Sequence, residues 1–208
     1  MNTIMNKWQR VFFLLVNTLV LSPVLGQTVI DSIIRPGLAP AGLAVYEKGN
    51  KLCVFDDRTN HLLIYDGATL ALGKEIVFSH PPDDPFSFCG MAVNEAESEL
   101  YIGIGTRPEV RVAIVDLTSD SVLTEIPVPN LLPQSACGFI LDPVLNKLFL
   151  NNSSEVFIID LSTNTVIKIS LPVDGFHIDM SLNPVTHEVF LANSSVPKLR
   201  IINGITTQ

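Results

Sequence analysis

Between Cys137 and Pro172 the chain reads CGFILDPVLNKLFLNNSSEVFIIDLSTNTVIKISLP, three short apolar runs and a fourth, more polar one. Turn signals separate them at Asp142-Pro143, Asn151-Asn152-Ser153 and Ser162-Thr163-Asn164. The pattern predicts one four-stranded antiparallel unit. The rest of the chain after residue 27 reads as imperfect copies of it. Copies begin at Gly42, Gly90, Gly138 and Asp179, spaced by 48, 48 and 41 residues. The first has Gly49-Asn50 as a tight hairpin turn between its first two strands. The fourth stops after its third strand.

A period of ~40 to 50 residues with four strands per repeat is that of a propeller blade. The expected fold is therefore all-β, a β-propeller of four-stranded antiparallel blades, with about four blades encoded at residues 42–79, 89–129, 137–172 and 177–204. No sustained helical periodicity occurs outside the N-terminal segment. Glycine at 42, 90 and 138 opens the innermost strand, where blades crowd together and a side chain would collide. Asp66, Asp116, Asp160 and Asn203 end the third strands, where their side chains can accept from N–H groups two residues on and fix the next turn. Such acids are read as turn locks rather than catalysts.

Residues 28–36 alternate like a strand but have no companions, and Thr28 to Ile33 resembles the outer strand Thr165 to Ser170. This spare strand is expected to serve as the closing outer strand of a blade, since closure removes exposed sheet edges. Strand counting permits a closed four-bladed ring. An incomplete ring whose remaining blades are missing is the preferred expectation.

Before the repeats, Lys7 and Arg10 precede the apolar run Val11–Leu21 and then SPVLGQ. Residues 1–26 are expected to be a signal peptide cleaved near Gly26-Gln27, with a retained anchor as the alternative. The run is shorter than the ~20 residues of a settled membrane-spanning helix. Secretion or export to a periplasm follows, with no membrane span after cleavage. The chain carries 13 Lys+Arg against 21 Asp+Glu. Loss of Lys7 and Arg10 leaves a formal charge of −10, and an acidic domain without a basic stripe repels phosphate backbones. Nucleic acid is not an expected partner. The three cysteines, Cys53, Cys89 and Cys137, leave an odd thiol. Cys89 and Cys137 share a column and are read as packing residues rather than a bridge.

The third copy, with Phe149-Leu150-Asn151-Asn152, Val156 to Asp160 and Thr163-Asn164-Thr165-Val166, resembles the YVTN family of propeller repeats. Phe190-Leu191-Ala192-Asn193 matches its tetrapeptide more loosely, whereas Tyr101-Ile102-Gly103-Ile104 and Cys53-Val54-Phe55-Asp56 depart from it. The resemblance, over residues 28–208, implies a secreted or periplasmic propeller like the YncE-type proteins, commonly of seven blades, and no particular reaction. Asp56 to His61 also resembles the turn of NHL-type repeats.

The candidate site residues are Asp174, His177 and Asp179 in VDGFHIDMS. His177 and Asp179 are candidates for acid/base catalysis, and all three for a divalent metal. Strand alternation would turn His177 and Asp179 to one side. A plain polar channel lining is the alternative and the preferred reading. HPPDDP at 80–85 is read as a solvated loop rather than a calcium site, because the EF-hand spacing is absent. His61 and His187 fall in turns and are expected to be exposed. Asn151, Asn152 and Asn193 begin N-x-[ST] sequons that are read as turn residues. No CxxCH, CxxC or G-x-S-x-G pattern occurs, and no cofactor is expected. The expected function is a binding or scaffold module for a protein or glycan partner. The alternative is a lactonase-like or metal-dependent hydrolase or lyase.

Overall fold

The computed structural model describes residues 32–79, 87–106, 109–131, 138–152, 154–172, 177–193 and 196–206, with the backbone alone at 87, 106, 109, 177 and 178. The signal-peptide segment and Cys137 lie outside the described residues. Among them the secondary structure is all strand: β1 (Pro40–Tyr46), β2 (Lys51–Asp56), β3 (His61–Asp66), β4 (Leu72–Val77), β5 (Ser87–Asn94), β6 (Glu99–Thr106), β7 (Glu109–Asp116), β8 (Ser121–Val128), β9 (Gly138–Asp142), β10 (Lys147–Asn151), β11 (Glu155–Asp160), β12 (Thr165–Ser170), β13 (His177–Asn183), β14 (Glu188–Asn193) and β15 (Leu199–Asn203). They pair in chain order as antiparallel meanders, β1-β2-β3-β4, β5-β6-β7-β8, β9-β10-β11-β12 and the three-stranded β13-β14-β15. Short turns between runs of branched apolar residues leave sequential antiparallel pairing as the simplest arrangement.

The turns are fixed locally. Asp66 Oδ1 accepts from the N–H of Ala68 (3.0 Å) and Thr69 (2.7 Å). Asp116 does so from Thr118 (2.7 Å), Asp160 from Ser162 (3.0 Å) and Asn203 from Ile205 (2.8 Å). Asp142 and Asn183 make the same bonds after the innermost strands. The hairpin residues Asn50, Ser98, Asn146 and His187 all sit at positive φ, near +50 to +60°.

The second and third sheets bury both faces between neighbours, and the first and fourth each bury one face in a seam. The trailing face of a sheet looks toward the next sheet in the chain and the leading face toward the previous one. Tyr46, Cys53, Phe55, Leu62 and Ile64 of the first sheet meet Leu100, Ile102, Ile104, Ala113 and Val115 of the second. Tyr101, Val110, Val112 and Ile114 on the second sheet's trailing face meet Leu148, Leu150, Phe157 and Ile159 of the third. Phe149, Val156 and Ile158 then meet Met180, Val189, Leu191 and Ile202 of the fourth. The innermost strands are successive neighbours, β1 beside β5, β5 beside β9 and β9 beside β13. No comparable contact joins β13 to β1, so the described residues form an open row of four sheets, not a closed ring.

The glycine column has a steric cause. A Cβ on Gly42 would fall 2.2 Å from the Phe88 ring, and one on Gly90 would fall 2.3 Å from Phe139 Cβ. The collision is with the next sheet's innermost strand, which the missing side chain admits. Polar clasps join two of the three seams at equivalent positions. Tyr46 Oη donates to Ser98 Oγ (2.7 Å) and Lys51 Nζ to the Leu117 carbonyl (2.7 Å) across the first seam. His187 Nδ1 donates to Asp142 Oδ2 (2.8 Å) and Lys147 Nζ to the Gly204 carbonyl (2.6 Å) across the third. His187 is therefore tied to a buried carboxylate, contrary to the exposed position that its turn suggested.

Of the spare segment 28–36, residues 28–31 lie outside the described residues, and Ser32 to Arg35 are not in a strand. Asn151 and Asn152 are buried, and Asn152 Oδ1 accepts from Ser154 and Glu155 N–H (2.9 and 2.7 Å), so neither is an open glycosylation acceptor.

Candidate functional site

The segment entering β1 and the β2–β3 turn come together at one end of the first sheet, and Asp56 is what joins them. Its Oδ1 accepts from Ala39 N–H (3.1 Å) and Arg58 N–H (3.1 Å), and its Oδ2 from Thr59 Oγ1 (2.8 Å). The Asp57 N–H returns a bond to the Ala39 carbonyl (3.1 Å). Burial works to raise the Asp56 pKa, but the bonds from Thr59, Ala39 and Arg58 outweigh it, and the carboxyl is held below its ordinary range.

Above this junction lies a cleft of about 330 Å³ lined by Arg35, Pro36, Gly37, Leu38, Asp56, Arg58, Thr59 and His61. Its wall is a three-part ionic group. Arg35 Nη2 donates to both Glu75 oxygens (3.0 and 3.2 Å), and His61 Nδ1 donates to Glu75 Oε1. The His61 bond first, then Arg35, holds the Glu75 carboxyl below its usual range, and Glu75 in turn raises Arg35. Register accounts for the meeting, since His61 pairs with Val77 and Leu63 with Glu75, which places His61 and Glu75 on one face of neighbouring strands. His61 is thus part-buried and engaged, not the freely exposed turn residue expected from sequence.

One cation is left for a ligand. Arg35 is engaged by Glu75, and its Nη1, though without a hydrogen-bond partner, is buried out of a ligand's reach. The Arg58 guanidinium is exposed, with no side-chain partner among the described residues. The cleft therefore offers one exposed guanidinium, that of Arg58, beside carboxylates already satisfied by the protein. That chemistry suits an oxygen-rich ligand.

The residues singled out from sequence lie elsewhere. Asp174 is outside the described residues. The His177 backbone opens β13 opposite Asn193, while Asp179 pairs with Ala192, so a bulge separates them and two-residue alternation does not run through the pair. Asp179 is exposed, and its Oδ1 accepts from its neighbour's N–H, that of Met180 (2.8 Å). Among the described residues no group of three or more His, Cys, Asp or Glu side chains is placed to hold a metal ion. HPPDDP also lies outside them. Sequence reasoning passed over the cleft because its components come from residues 35, 56–61 and 75, which only the sheet brings together. The signal available was Asp56 to His61, noted for its NHL-like turn.

No protein-family model and no curated protein matches the sequence. Among solved structures, hydrazine synthase of Kuenenia stuttgartiensis is similar, with a TM-score of 0.62 at 14% identity over 85% of this chain and 49% of that one. The chain spans about half the length of that structure. At this identity the likeness is one of fold alone, to a propeller-containing protein, and the chain has a β-propeller-like, all-β architecture.

Proposed function

We propose that this chain is a propeller section acting as a secreted or periplasmic binding or scaffold module, with a glycan or protein partner held at the first-sheet cleft. The observation that carries the reading is the exposed Arg58 guanidinium lining a preformed opening of about 330 Å³. An opening of that size matches the lower end of ligand sites, ~300–1,000 Å³. Hydroxyl and carboxylate oxygens of a sugar or an acidic side chain are what those donors would take. The basic start and apolar run at residues 7–21 support export, and the YVTN resemblance agrees with it. The acidic balance of the chain argues against nucleic acid.

The test is a panel of neutral and acidic oligosaccharides and envelope-protein extracts fractionated to single species, titrated against wild type and Arg58→Ala. A ligand bound by wild type and weakened tenfold or more in Arg58→Ala supports the reading. Equal binding by both proteins moves the site elsewhere.

A second reading, a hydrolase or lyase, is favoured by the His61–Glu75 dyad. A carboxylate bonded to Nδ1 orients an imidazole for proton transfer. Metal analysis of the purified protein separates the readings. A stoichiometric divalent ion lost in His177→Ala favours the enzyme.

A further inference from the structure

The segment that enters β1 carries a turn of its own. Leu38 N–H donates to the Arg35 carbonyl (3.1 Å) across Pro36-Gly37, with Gly37 at φ +83°. Proline at the second position and a positive-φ glycine at the third are what a type II turn requires, so Arg35 to Leu38 holds its own shape. These four residues supply half of the cleft lining, and Asp56, Arg58, Thr59 and His61 supply the rest.

The turn is tied down at two places. On its β1 side, Ala39 N–H donates to Asp56 Oδ1 (3.1 Å) and the Ala39 carbonyl accepts from Asp57 N–H (3.1 Å), just before Pro40 joins the ladder opposite Asp56. On its other side only the Arg35 side chain reaches the sheet. Its Nη2 donates to both Glu75 oxygens (3.0 and 3.2 Å), and the guanidinium also faces Tyr65 of β3. Among the described residues Pro36, Gly37 and Leu38 make no hydrogen bond to the sheet, and a Cβ on Gly37 would meet nothing within 4 Å.

A stiff turn with a backbone anchor at one end and a single side chain at the other is a strap with a hinge and a latch. Resting on the reading of the cleft as the binding site, we propose that Arg35 to Leu38 swings about Ala39 and that Glu75 latches it through Arg35, so that the latch sets whether the cleft keeps this wall. Glu75 is then a positioning residue, acting through Arg35 and not on the ligand. The two side chains are 38% and 31% exposed, and ion pairs of that kind are weak, so the latch opens readily. The charged groups that face Glu75 are Arg35 from the strap and His61 from β3, and His61 stays bonded to it when the strap leaves. Both favour the ionised carboxyl, so the latch is complete above the ordinary glutamate value of ~4.3 and is lost as pH falls through the lowered one.

Backbone amide relaxation and exchange on the isotope-labelled full chain test this. In the wild type at neutral pH, Gly37 and Leu38 should show order parameters near the ~0.85 of rigid backbone. In Glu75→Gln they should fall below ~0.6, while the Ala39 amide and the β3–β4 ladder exchange as before. Arg35→Gln, made on the strap itself, should reproduce that loss, and Glu75→Asp, which keeps the charge, should restore part of the order. Acid should loosen the strap of the wild type and leave that of Glu75→Gln unchanged. An ordered strap in Glu75→Gln overturns the proposal, as does a strap equally mobile in the wild type. Equal loosening of β3–β4 would make Glu75 a residue of sheet stability alone, which overturns it too. The cleft reading fails by a different result, equal ligand binding by wild type and Arg58→Ala, which does not alter these amide values.

Discussion

Asp116 shows how much a single side chain decides here. Hydrogen bonds from the Thr118 and Ser119 hydroxyls and the Thr118 N–H bring its carboxyl down to about 2. A depressed folded value means that the ionised form favours the fold. Its contribution is full above the unfolded value of ~3.9 and is lost as pH falls through the folded one. Carboxyl-detected NMR should find Asp116 titrating near pH 2, and a midpoint near 4 would show that the turn bonds do not persist in solution. Glu75 follows the same sign, so acidification through its lowered value should release His61 and Arg35 together. Cys53 goes the other way, with burial pushing its thiol up to about 12. Native protein at neutral pH should therefore resist alkylation at Cys53, and label it only on unfolding. The turn locks were legible because their partners lie two or three residues away. His61 and His187 were misjudged because their carboxylates, Glu75 and Asp142, lie 14 and 45 residues away.

At the scale of elements, the seams carry the stability. Gly90 has φ +142° and faces Phe139 Cβ. Gly90→Ala should cost about 1–3 kcal/mol from overpacking, more with the backbone strain added. The urea-measured cost should shrink in a Phe139→Ala background, and equal costs in both would deny the contact. His187→Ala leaves a buried Asp142 oxygen without its partner, at about 1–3 kcal/mol. His187→Ala with Asp142→Asn should recover part of that. The strand order was legible from four aligned copies, as was the crowding at the glycines. The pairing of clasps at the first and third seams was not, because Lys51 and Lys147 reach backbone carbonyls that no side-chain pattern reveals.

For the molecule as a whole, stability in a row of sheets is a sum of sheet and seam terms, so the end with fewest contacts opens first. The fourth sheet has three strands and one seam, whereas the second and third have four strands and two seams. Amides of β13–β15 should exchange faster than those of β6, β7, β10 and β11. Equal protection throughout would show that the row does not open from this end.

Apolar alternation, period and turn chemistry are local and one-dimensional, and by themselves they determined an all-β chain of four repeated sheets with locked turns. Which strands face which, that the row stays open between β13 and β1, that Arg35, His61 and Glu75 form one group, and that Leu199 and Ile201 remain uncovered were decided only in three dimensions. The reason is physical. Each of these depends on residues far apart in the chain meeting across a sheet or a seam, and strand periodicity says which way a side chain points without saying what it will meet.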